Sequence, residues 1–186
     1  MIEPSERPPP TLQRLVSMFR TAMAELGRAP SDAELEAWAV LIHSSMSGRG
    51  RSYHTVGHVF DVDDGTDALG TLAILFHDTV YCQVDGGLPR GLERYLGDAL
   101  RMDGDHVELG PFDPAEDELR ALVARIFGFT PGQPVPLHGG LNELASALLA
   151  ARTLRSHLST AEIAAVVTET PEINAYYEAL AAALAD

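Results

Sequence analysis

Apolar residues in this chain recur every third or fourth position for most of its length, a period that fits helices and not strands. Leu12, Leu15, Val16, Phe19, Met23 and Leu26 mark one buried helical face, with Gly27 placed to end it. Ser31-Asp32-Ala33-Glu34 reads as a capping box that opens a second helix, turning Leu35, Trp38, Ala39 and Ile42 inward. The spacing then predicts two helices split near Gly65, and a fifth from about Pro89 to Met102 on Leu92, Tyr95, Leu96 and Leu100. A sixth should follow Asp113-Pro114-Ala115-Glu116, on Leu119, Leu122, Val123, Ile126 and Phe127. Leu141, Leu144, Leu148 and Leu149 carry another, and segments from Ser159 to Thr168 and from Pro171 to Leu184 complete the set. Residues 44–52 and 128–140 read as loops, the second a surface loop or a flap over a site. No strand-like alternation stands out, so the expected fold is all-α.

With 186 residues, 46% hydrophobic and 22% charged, the chain suits a single compact helical domain with a real core. That domain is expected over residues 11–186, behind a flexible, proline-rich arm at 1–10. No apolar run approaches the roughly 20 residues of a membrane span. The one cysteine, Cys82, cannot form an internal disulfide, and the polar N-terminus does not read as a signal peptide, so the expected setting is cytoplasmic. Acidic residues outnumber basic ones 27 to 13, for a net charge of −14. Such a surface repels nucleic acid polymers and acidic membranes, and neither is expected as a partner. A small phosphorylated substrate would need a local positive centre, either a metal or an arginine cluster. Arg49, Arg51, Arg90 and Arg94 flank the motifs described next; arginine suits a bidentate phosphate contact, and Arg51 is the one beside the histidines.

Two histidine motifs lie close together: Tyr53-His54-Thr55-Val56-Gly57-His58, and the apolar run Leu69 to Phe76 closed by His77-Asp78. Three imidazoles and a carboxylate are a nitrogen-plus-oxygen set that suits a divalent hydrolytic metal. His54 and His58 are four apart and would share one helix face. Burial of the apolar run would fix the direction of His77 and Asp78. The alternative is a helical scaffold whose histidines merely cap and pack. Cys82, four after Asp78, reads as a packing residue or a thiolate ligand.

Arg51-Ser52-Tyr53-His54 with His58, followed by Leu72-Ala73-Ile74-Leu75-Phe76-His77-Asp78-Thr79-Val80-Tyr81, resembles the metal-dependent phosphohydrolases of the HD superfamily. In that family the motif is Arg-x-Tyr-His-x-x-x-His, then an apolar helix ending His-Asp-x-x-Tyr. A weaker third block aligns with Leu141 to Leu148. The resemblance implies a helical domain of the HD type with His58, His77 and Asp78 as metal ligands. Asn142 stands where the family has an Asp as fourth ligand. It further implies Asp78 and His54 as catalytic groups, and Arg51 and Tyr53 as substrate contacts. The cofactor would be a divalent ion (Mn, Fe, Ni, Co, Zn or Mg) and the substrate a nucleotide or other small phosphate ester.

The chain departs from the family at three places. Asn142 lacks the charge of an Asp, His77 follows His58 by only 19 positions, and Gly86 to Arg94 replaces the usual Asn-Glu-Glu-Arg-Ser-like helix start. His138, Glu143 and Glu93 are conceivable replacements for the missing carboxylate. These departures keep a second reading open, a degenerate HD-fold protein that binds a ligand or partner without turning it over.

Overall fold

The structure is a computed structural model, and it describes residues 10–48, 50–63, 67–88, 91–104 and 106–168. The expected arm, except Pro10, lies outside these residues, as do Arg49, Gly65, Arg90 and the expected helix from Pro171 to Leu184.

The first two helices follow the sequence closely. α1 (Thr11–Glu25) buries Leu15, Phe19, Ala22 and Met23 along one face, and Gly27, at φ 70°, turns the chain out of it. α2 (Asp32–Ser45) opens on the expected capping box: Ser31 Oγ accepts from the Glu34 amide at 3.3 Å, and Glu34 Oε2 accepts from the Ser31 amide at 2.8 Å. Next come α3 (Val56–Val62) and α4 (Ala68–Phe76), the latter capped by Asp67, whose Oδ1 accepts from the Gly70 amide at 2.9 Å. Seven of the nine residues of α4 are buried, which makes it the central strut. Phe19 joins α1, α2 and α4, with its ring edge-on to Trp38 at 5.5 Å and to Phe76 at 5.8 Å.

After α4 the chain forms α5 (Cys82–Asp85) and α6 (Glu93–Leu96), each a single turn. Here the all-α expectation needs correction. In place of a helix continuing to Met102, β1 (Leu100–Asp103) and β2 (His106–Leu109) form an antiparallel hairpin that turns at Gly104. Leu100, Val107 and Leu109 are buried while Arg101 and Asp103 are exposed, so the hairpin lays one face on the core. The expected flap belongs partly to the same layer. Gly132 and Val135 donate to the carbonyls of Leu109 and Val107 at 2.6 and 2.8 Å, and Leu109 donates to Gln133 O at 2.9 Å, so the segment runs along β2.

α7 (Glu118–Ile126) begins later than expected. Asp113 only closes a turn, its Oδ1 accepting from the Ala115 amide, whereas Asp117 caps the helix through the Arg120 amide at 3.1 Å. α8 (Leu141–Leu154) is buried at ten positions, and α9 (Thr160–Thr168) is preceded by Ser159, which exchanges capping bonds with Glu162. α4 packs against α1, α8 and α9. Among the described residues, no helix is long and apolar enough to cross a membrane.

Candidate metal centre

His77 and Asp78 sit where the apolar run predicts, at the C-terminal end of α4. His58 projects from α3, but His54 lies in the bend before that helix, so the shared helix face expected of the pair does not exist. The two rings nevertheless meet edge-on with centroids 5.7 Å apart. The loop supplies the position that the helix was expected to supply.

The three imidazoles converge on a single carboxylate oxygen. Asp78 Oδ2 lies 2.6 Å from His54 Nδ1, 3.0 Å from His77 Nε2 and 3.6 Å from His58 Nε2. Among the described residues, His54, His58 and Asp78 form a group that could hold a metal ion, their ligand atoms all within 4.8 Å of one another. Donors bound to one ion at about 2.1 Å stand roughly 3 to 3.5 Å apart, so an ion would widen the 2.6 Å His54–Asp78 contact and leave the 3.0 and 3.6 Å contacts near their present lengths.

The electrostatics suit a cation. Burial works against a charge on Asp78, but hydrogen bonds and attraction from His77 and His54 outweigh it and hold the carboxyl at about 2, ionised at neutral pH. His77 is buried, and its Nδ1 lies 2.7 Å from the Ile74 carbonyl, an acceptor only, so Nδ1 carries the hydrogen. The contact between His77 Nε2 and Asp78 Oδ2 then calls for a second ring proton or a cation near both atoms. A carbonyl that orients a histidine through its far nitrogen is a recurrent support of metal sites.

The remaining expected site residues are placed differently. Arg51, expected to hold a phosphate, has a side chain with 0% exposure. Its guanidinium pairs with Asp85 and with main-chain carbonyls, so it turns away from any ligand at the cluster. Tyr53 is 85% exposed. Asn142 stands outside the cluster: its Oδ1 accepts from the Cys82 amide at 3.0 Å, one turn of α8 before Ser146, whose Oγ accepts from the Val80 amide at 3.1 Å. Together they pin the backbone that follows Asp78.

Of the conceivable replacements, Glu93 closes its own turn through the Gly91 amide. Glu143 and His138 line a recess of about 240 Å³ with Tyr81, Gln83, Leu137, Gly140 and Asn142. Tyr81 also faces His54 edge-on at 5.0 Å, so the recess borders the cluster. Cys82 is buried and is not in the group of residues that could hold an ion; burial, and then the nearby Asp85 charge, push its thiol up to about 11. Sequence reasoning missed the Arg51–Asp85 pair altogether.

No family model, curated protein or solved structure matches this chain.

Proposed function

We propose that this chain is a divalent-metal-dependent phosphohydrolase of the HD type, acting on a nucleotide or other small phosphate ester. The observation that carries the reading is the convergence of His54, His58 and His77 on Asp78 Oδ2. His58, His77 and Asp78 would hold the ion, with His54 able to join them. A bound divalent ion supplies a lowered pKa for water and an electrophilic partner for a phosphoryl oxygen.

The chain's own groups then have defined tasks. His77, fixed by Ile74, offers Nε2 without rotating. Asp78 keeps a negative charge at the centre and leaves Oδ1 to accept a proton from attacking water. His54, held through Nδ1 by Asp78, is part-exposed and directs Nε2 to the other side of its ring, where it can return a proton to the departing oxygen. The recess beside Tyr81 gives the rest of the ester a polar wall with one carboxylate, Glu143. That wall suits a neutral hydroxyl-bearing group better than a second anion.

Two observations favour a second reading, a metal-binding protein of the same type without turnover. Asn142 Oδ1 is engaged by the Cys82 amide, and Arg51 is buried rather than presented to a phosphate. Elemental analysis of the purified protein, followed by a screen of nucleotides and generic phosphate esters with Mn²⁺, Mg²⁺, Fe²⁺, Co²⁺, Ni²⁺ or Zn²⁺, tests both. One ion per chain with hydrolysis abolished by His77→Ala supports the hydrolase. One ion without hydrolysis supports the second reading. No retained or added ion ends both.

A further inference from the structure

We infer that Arg51 and Asp85 are positioning residues that set the spacing of the candidate ligands, a role that rests on the metal-centre reading above. A guanidinium has five N–H donors, and each of those on Arg51 meets an acceptor. Nε donates to Asp85 Oδ1 at 3.2 Å, and Nη2 donates to Asp85 Oδ2 at 2.6 Å and to Thr79 O at 3.0 Å. Nη1 donates to Asp78 O at 2.8 Å and to His54 O at 3.3 Å. The two carbonyls on Nη1 belong to the residues whose side chains meet at 2.6 Å. His54 and Asp78 are therefore tied twice, by main chain through one nitrogen and by side chain directly.

Glycine makes room for this arrangement. A Cβ on Gly48 would stand 2.7 Å from Asp85 Oδ1, and one on Gly50 would stand 3.0 Å from both the side chain and the carbonyl of Val84. Neither residue has a positive φ, so it is close approach of the loop to α5, not backbone conformation, that calls for glycine at both.

The chemistry of the pair also points beyond simple stability. Both side chains are nearly or wholly removed from water, at 0% and 7% exposure. Apolar residues of similar volume commonly stabilise a fold as well as a buried ion pair does. What they cannot do is hold three carbonyls in fixed directions from one rigid planar fork.

The test titrates the metal-free protein with Co²⁺, following the visible d–d absorption, and records the melting temperature of each variant. The double variant Arg51→Met/Asp85→Leu replaces the ion pair with apolar side chains. It is expected to stay folded and to bind Co²⁺ at least about ten-fold more weakly than the wild type, the range typical when the support of a ligand is lost. Its d–d band should also shift. Asp85→Asn keeps the side-chain shape and half of the fork, and is expected to show a smaller loss in the same direction. It decides the matter on the same readouts if the double variant does not fold. A folded variant with wild-type Co²⁺ affinity and band overturns the positioning role and leaves the metal centre standing. A wild-type chain that takes up no Co²⁺ overturns both.

Discussion

Replacing Asn142 with alanine separates a cap from a ligand. In the structure Asn142 Oδ1 accepts from the Cys82 amide at 3.0 Å, and Cys82 itself is 3% exposed. Removing the acceptor leaves that amide with little access to water, at a cost of about 1–3 kcal/mol. Alanine's better helix propensity offsets up to about 0.5 kcal/mol of this. The net loss should be about 0.5–3 kcal/mol, or roughly 1–12 °C in melting temperature for a chain of this size. Melting followed by calorimetry in a chelating buffer reads this loss without any metal contribution. Co²⁺ affinity, measured separately, should stay within about three-fold of wild type, because the oxygen that is lost faces α5 rather than the cluster. Asn142→Asp keeps an acceptor oxygen and should melt within about 1 kcal/mol of wild type. An Asn142→Ala protein with unchanged melting and Co²⁺ affinity reduced about a hundred-fold would refute the assignment, since the loss of a buried cap must lower the melting temperature.

Other expectations follow from single features. Arg120 is 4% exposed and donates through Nη2 to the carbonyls of Asp98, Ala99 and Gly110, binding α7 to the approach and exit of the hairpin. Arg120→Ala should cost about 3 kcal/mol or more, seen as a lowered denaturation midpoint, with metal uptake by the remaining folded protein unchanged. The Cys82 thiol, pushed up to about 11 by burial and then by Asp85, should resist a thiol-reactive dye at pH 8 in the native protein and react promptly in denaturant. Equal rates in both states would mean that the residue is open to solvent. Asp98 is held at about 2, chiefly by its hydrogen bonds from Arg152. A depressed carboxylate stabilises the fold above its unfolded pKa of about 3.9, and that contribution disappears as pH falls toward 2. Asp98→Asn should therefore flatten the acid limb of the stability curve between about pH 4 and 2. The effect should be small and salt-sensitive, because the side chain is 65% exposed. An unchanged acid limb at low salt would count against the ion pair.

The elements that could be read from the sequence are those whose signals are local. The face of α1, the Ser31–Glu34 box and the apolar run that delivers His77 and Asp78 each lie within one or two turns of chain, and the structure has them as expected. The hairpin escaped because its strands are four residues each, too short for alternation to stand out. Leu92, Leu96 and Leu100 also keep a helical spacing, even though Leu100 reaches the core from a strand. Asp113-Pro114 has the composition of a helix start, but Asp117 provides the cap, four residues on. Around the cluster, the residue types were legible and their tasks were not. The burial of Arg51 depends on Asp85, 34 residues away, and on carbonyls whose directions only the folded backbone defines. His54 joins Asp78 from a bend, where no periodic pattern announces a side chain's direction.

The strip of chain at 132–135 that lies along β2 has a bearing on the recess beside Tyr81. Its three main-chain bonds to Val107 and Leu109 anchor the near end of the wall on which Leu137 and His138 stand, and Gly140 leads from the far end into α8. The shape of that wall is thus inherited from a small sheet some distance along the chain. A change in the hairpin can alter what the recess admits without touching any residue that lines it.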